Sequence, residues 1–271
     1  MESELSFTVA QSSVAGNKSD NEDAIGIRIP REALLKNKGA IAVIADGVSA
    51  AEAGKEASET CVRNFLSDYY STPDSWSVKK STTQVLIALN RWLYGQGRQY
   101  IDAQKGYVST FSTIIFKSQT ASIFHVGDSR IYRLRDGDFE QLTRDHTTFI
   151  SNEQSYLARA MGLDVHLEVD FKSFDIEAGD LFFLSTDGIH DFVKYADIRA
   201  CLRPLTNAPD AQAFDQACTA LTDMALENNS QDNLSCQILR VDTLPKQTIG
   251  EVSRKLSALP FPPELAPGLI L

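Results

Sequence analysis

Residues 109–143 read STFSTIIFKSQTASIFHVGDSRIYRLRDGDFEQLT, and in them the apolar spacing settles to a period of two. Side chains alternate across a strand, so this pattern predicts short strands over 109–116, 121–129, 130–137 and 139–143. Asp136-Gly137, set between alternating residues, is a hairpin tip. Working outward, residues 5–11, 24–29 and 40–45 also read as strands, as do 167–176, 180–188 and 233–241. Helical spacing appears in 51–70, where Ala57, Cys61, Phe65 and Tyr69 recur at i, i+4, and in 83–104, where Val85, Leu86, Leu89, Trp92 and Leu93 share a face. Residues 196–203 and 210–228 read as two more helices. Strands cluster instead of alternating with helices. The expected fold class is therefore α+β, an α-β-β-α sandwich of two stacked, mainly antiparallel sheets flanked by helices.

The chain of 271 residues is long enough to bury a core, and 43% hydrophobic with 23% charged residues is ordinary for a globular protein. No apolar run approaches the roughly 18 residues of a membrane span. The N-terminus lacks a basic, then apolar, leader pattern. Net charge is −10 with no Lys/Arg cluster, which argues against a nucleic-acid binder. The cysteines Cys61, Cys201, Cys218 and Cys236 show neither pairing nor metal spacing, so they read as small buried residues in a reducing compartment, the cytoplasm.

Two strands end alike. AIAVIADGV (40–48) and DLFFLSTDGI (180–189) each drive apolar residues into Asp-Gly. More acids stand at strand ends or tight turns: Glu22 and Asp23 before AIGIRI, Asp128 after SIFHVG, and Asp232 before the final strand. Buried carboxylates that converge need a cation, and all-oxygen ligands suit Mg²⁺ or Mn²⁺ better than Zn²⁺. Any single Asp-Gly is more often a turn, and Asp136-Gly137 is assigned to that class. His125, His146, His166 and His190 have no metal spacing. No nucleophile elbow, catalytic triad or phosphate-binding P-loop is present.

The segments NEDAIG, IADGVSAAEAGKEAS, STFSTIIF, HVGDSRIYRLRDGDFEQLTRDHT, LARAMG, LFFLSTDGI and SQDNLS, in that order, resemble the bacterial metal-dependent Ser/Thr protein phosphatases of type 2C. The resemblance runs from about Phe7 to Val241 and implies a phosphatase catalytic domain over 1–243. It implies a centre of two Mn²⁺ or Mg²⁺ ions, and a hydroxide held between them that attacks the phosphorus of phosphoserine or phosphothreonine. By motif, Asp46 resembles the bridging carboxylate, with the Gly47 carbonyl beside it. Asp23, Asp187 and Asp232 resemble further direct ligands, Glu22 an acid acting through water, and Asp128 the extra ligand of a third ion. Asp46 and Asp187 are the implied catalytic pair.

The chain departs from the family pattern in places. Lys18 stands where an Arg usually grips the substrate phosphate, so the charge stays but the bidentate fork is lost. The segment after Asp46-Gly47 has fewer glycines than usual, and the general-acid histidine of eukaryotic members is absent. The flap between DHT and LARAMG is cut to TFISNEQSYL, which implies a more open site. A catalytically inactive member that binds a phosphoprotein or regulates a kinase is the competing reading. An intact set of aspartates speaks against it. A nucleotide phosphodiesterase would mix His with Asp at its metals. Residues 244–271 carry four prolines between 260 and 267 and read as a linker, and the chain as a fragment cut before a further domain. In some bacterial fusions that domain is a Ser/Thr kinase, which would make the fused or cognate kinase a partner.

Overall fold

In a computed structural model the period-two stretch folds as expected, into strands β4 (Phe111–Lys117), β5 (Thr120–Val126), β6 (Arg130–Arg135) and β7 (Asp138–Gln141). The structure describes residues 4–49, 51, 53–99, 106–151, 154–207 and 210–246. Asp136 and Gly137, with φ of 49° and 82°, make the tight turn that joins β6 to β7. Both central residues have positive φ, the signature of a type I′ hairpin.

The remaining elements are β1 (Ser6–Val14), β2 (Asp23–Arg28), α1 (Glu32–Lys38), β3 (Ala40–Asp46), α2 (Gly54–Ser71) and α3 (Val78–Gly97), which precede β4. After β7 come β8 (Thr147–Ser151), β9 (Gln154–Leu157), β10 (Asp170–Asp175), β11 (Leu181–Ser185), α4 (Asp187–His190), α5 (Tyr195–Leu202), α6 (Ala211–Glu227) and β12 (Leu234–Thr243). They build a sheet ordered β1-β12-β11-β6-β7 and a second ordered β10-β5-β4-β3-β2, each antiparallel throughout.

Alternation explains the layers. In β3, Ala40, Ala42 and Ile44 point into the core between the sheets, whereas Ile41, Val43 and Ala45 pack under α2 and α3 with Phe65, Tyr69, Leu86 and Leu89. In β11, Phe182 and Leu184 face the inter-sheet core while Leu181 and Phe183 meet α5 and α6 through Leu202, Phe214 and Leu221. Strands covered on both faces read as continuous apolar runs, which is why β3 and β11 lack alternation in the sequence. The α-β-β-α sandwich is therefore observed.

Three elements go beyond the sequence reading. Helix α1 ends at Gly39, φ 85°, but is only seven residues long, too short for a period to show. Helix α3 begins five residues before the expected 83, because the Ser77 hydroxyl accepts from the Lys80 amide and caps it. Residues 100–104 of that expected helix lie outside the described residues. The short flap is itself a hairpin, β8 paired with β9. Of the linker, only 244–246 are described. Among the described residues no helix is long and apolar enough to cross a membrane.

Candidate active site

Antiparallel pairing brings distant acids to one rim. Asp23 opens β2 and is the register partner of Asp46, which closes β3. Asp187 follows the end of β11 and Asp232 precedes the start of β12, and these two strand ends are themselves paired, Ser185 against Cys236. Asp128 follows β5, whose end pairs with the start of β4 at Phe111. Next to Phe111, Thr110 ties that corner to Asp46. The Asp46 amide donates to the Thr110 hydroxyl at 2.8 Å, and the Thr110 amide donates to the Asp46 carbonyl at 2.8 Å. The Ser109 hydroxyl also donates to that carbonyl, at 2.9 Å.

Electrostatics shows how close the acids are. Asp46 is held well above the usual carboxylate range by burial and then by the charges of Asp23, Asp187, Asp128 and Asp232. Asp23 is pushed up to about 7, by burial first, with Asp187 and Asp232 adding to it against hydrogen bonds from Ser235 and Thr186. Asp187 rises to about 6, through burial and then Asp232 and Asp191. Asp128 rises to about 7, through burial, Asp187 and Asp145. Opposite charge is scarce: Lys18 ion-pairs with Asp232, stands 3.9 Å from Glu22, and donates to the Ser49 hydroxyl at 2.6 Å. Burial works to lower the Lys18 pKa, but Asp232, Asp46 and Glu22 outweigh it and hold the ammonium above its ordinary value.

The carboxylates fit a hard cation by donor chemistry. Asp23 Oδ1 and Asp187 Oδ1 are buried without a hydrogen-bond partner, at a cost that a divalent ion would remove. As they stand, no three His, Cys, Asp or Glu side chains among the described residues close into a cage for an ion, and Asp232 is turned to Lys18 instead. The orphaned buried oxygens of Asp23 and Asp187 mark the place for a cation, and Asp232, whose Oδ1 accepts from the Asn233 amide at 2.7 Å as well as facing Lys18, would have to leave Lys18 to join them.

Gly47 is required by space. A Cβ there would lie 2.2 Å from the Gly54 carbonyl oxygen and 2.8 Å from that of Glu22. Its amide donates to the same Glu22 carbonyl at 3.1 Å. Gly47→Ala is therefore expected to push the Gly54 loop off the rim and to destabilise the fold by about 2–4 kcal/mol, read from urea midpoints. An unchanged midpoint would show that the loop yields freely.

Sequence reasoning missed the supports. Thr186 Oγ1 donates to Asp23 Oδ2 at 2.9 Å, bridging the two sheets. The Asn233 side chain donates to the carbonyls of Ala15 and Asp20, at 3.0 and 2.8 Å, and accepts from the Glu22 amide at 2.9 Å, pinning the loop that carries Lys18 and Glu22. Each sits one residue from an implied ligand, in STDG and QDNL, and that adjacency was the available signal. His125, His146 and His190 are buried; burial pushes His125 down to about 4, with His146 adding to it, and lowers His190 well below its usual range. His125 and His190 are packed, neutral residues, and His146 is packed beside the His125 ring.

Residues 10–225 match the model of the protein phosphatase 2C family. The chain belongs to that family. A Listeria innocua serine/threonine phosphatase, stp, is 30% identical over 195 residues, spanning 62% of this chain and 73% of that protein. The Mycobacterium tuberculosis serine/threonine phosphatase PstP/Ppp superposes with a TM-score of 0.72 at 23% identity, covering 88% of this chain and all of that one. A PstP catalytic domain in complex with two manganese ions superposes at 0.71, also at 23% identity, covering 88% of this chain and 100% of that one. At that identity the two structures bear on the fold alone. Membership of the protein phosphatase 2C family makes this chain a serine/threonine protein phosphatase by class.

Proposed function

We propose that the rim holds two divalent cations, Mn²⁺ or Mg²⁺, and hydrolyses phosphoserine or phosphothreonine on proteins. The observation that carries this is the ring of mutually raised carboxylates with orphaned oxygens on Asp23 and Asp187, in a protein phosphatase 2C fold. Asp46, the register partner of Asp23 and in the field of Asp187, would serve both ions, and the Gly47 carbonyl, Asp23, Asp187 and Asp232 would be the further direct ligands. Glu22 would support an ion through water, and Asp128 would offer a place for a further ion. Bound there, the ions supply Lewis acidity, making a nucleophile of water near neutral pH and offsetting charge on the phosphoryl group.

The protein's own part is positioning. Thr186 and Thr110 fix Asp23 and Asp46 from opposite sheets. Lys18 exchanges Asp232 for the substrate phosphate, as a point charge instead of a fork. Lys18→Ala is expected to raise KM and lower kcat/KM roughly tenfold, checked by steady-state kinetics; an unaltered KM would leave Lys18 as a loop cation. The Lys18–Asp232 ion pair also favours a second reading, a phosphoprotein-binding member without turnover. A phosphothreonine peptide assayed with Mn²⁺, with Mg²⁺ and with chelator separates the two. Metal-dependent release of phosphate supports the enzyme; tight peptide binding with no release under either metal supports the module. A cognate Ser/Thr kinase as natural partner belongs to the same proposal and is tested by dephosphorylation of an autophosphorylated Ser/Thr kinase from the same cell.

A further inference from the structure

The sandwich is open along one side. β10 is the outer strand of one sheet and β7 of the other, and between β10 and the chain leaving β7 runs a groove of about 460 Å³. Ile123, Leu142 and Val169 supply apolar walls, and Arg144 and Lys172 stand on the rim. Among the described residues β10 pairs only with β5, so its outer edge offers backbone donors and acceptors to an added extended chain. The groove shares Arg144 and Asp170 with a second hollow of about 350 Å³ lined also by Asp145 and His146. The His146 amide donates to the Gly127 carbonyl at 2.8 Å, one residue before Asp128. The two adjoining hollows thus run along the start of β10 and end beside the turn that carries Asp128.

Its charge is the reverse of the molecule's. The acids beside it are partly answered: Asp145 pairs with Arg130, and Asp170 and Glu168 share Arg159. Arg144 is exposed and in no ion pair among the described residues, and Lys172 has only the Phe174 ring as a charge-specific neighbour, at 5.8 Å. Arg130, Arg144, Arg159 and Lys172 outnumber Asp145, Glu168 and Asp170 by one, so the patch is locally positive on a chain of net charge −10. That overall charge repels a long polyanion such as nucleic acid, whereas a short acidic segment senses chiefly the local field.

We propose that this groove docks an extended acidic segment flanking the phosphorylated residue of the substrate, laid along β10 with its carboxylates against Arg144 and Lys172. The inference rests on the phosphatase reading and adds a substrate preference to it. The test uses phosphothreonine peptides whose flanks carry Glu or, at the same positions, Gln, with p-nitrophenyl phosphate as a substrate that has no flanks. Wild type is expected to favour the Glu peptide in kcat/KM by about tenfold at low salt, less at high salt. Arg144→Glu with Lys172→Glu should erase or invert that preference while p-nitrophenyl phosphate turnover holds within about twofold; Arg144→Gln and Lys172→Gln singly should fall between. Equal turnover of both peptides by wild type, or a preference that survives the double change, overturns the proposal. If wild type releases no phosphate from any substrate, the phosphatase reading fails, and fluorescence anisotropy of a labelled Glu-flanked peptide then judges the groove. Loss of binding in the double variant supports docking, and equal binding by wild type and variant overturns it.

Discussion

Asp46→Asn is expected to lower metal-dependent turnover by on the order of a thousandfold and, in chelator, to make the protein melt higher. The two effects have opposite signs for one reason. Asp46 sits in the combined field of Asp23, Asp187, Asp128 and Asp232 and is itself driven well above the usual carboxylate range, burial being the larger cause. A neutral amide of equal size keeps the packing and removes one charge from the cluster, which should stabilise the metal-free fold by about 1–2 kcal/mol and raise Tm by a few degrees. The same change removes the proposed bridge between two ions. Kinetics with Mn²⁺ and melts with chelator, run on one preparation, check both halves. Near-normal turnover, or a lower melting point in chelator, would mean that Asp46 serves packing and not charge.

The second large effect is on pH. Asp23 and Asp128, raised to about 7, and Asp187, to about 6, have folded-state values above the ordinary 3.8, and Asp46 lies in the same direction. A carboxyl raised in the folded state holds its proton more tightly there than in the unfolded chain. Its favourable contribution is fully present below about pH 4 and is lost as pH rises through about 6 to 7, the reverse of an ion-paired carboxylate. Chelated protein is therefore expected to melt roughly 5–10 °C higher at pH 5.5 than at pH 8. Millimolar Mn²⁺ should reverse the order, because cations bind the deprotonated ligands and stabilise the fold by mass action. Melting points that climb from pH 5.5 to pH 8 in chelator would contradict the raised carboxylates.

The layers were legible because the strands cluster in the sequence and Asp136-Gly137 marks a two-residue turn between β6 and β7, whereas the neighbour of each strand was not. That β1 and β12 pair side by side, joining the two ends of the domain, depends on long-range contacts that no local period encodes. Helix α1 and the β8–β9 hairpin were missed because each is too short to repeat its pattern. At the site, the aspartates announced themselves: a charged residue closing an apolar strand conflicts with its surroundings unless function explains it. Thr186 and Asn233 did not, since a small polar residue at a strand end fits a turn equally well. The Lys18–Asp232 ion pair was invisible for another reason, as its partners lie at opposite ends of the chain.

Equilibrium dialysis against Mn²⁺, on wild type and Asp187→Asn side by side, tests the metal centre most directly. The account predicts two tightly held ions per wild-type chain, with weaker binding at Asp128 only at high concentration, and loss of at least one tight ion in the variant. A wild-type chain that holds no Mn²⁺ or Mg²⁺ at millimolar concentration, while folded, would contradict it, and the Lys18–Asp232 ion pair would then be the permanent state of the rim.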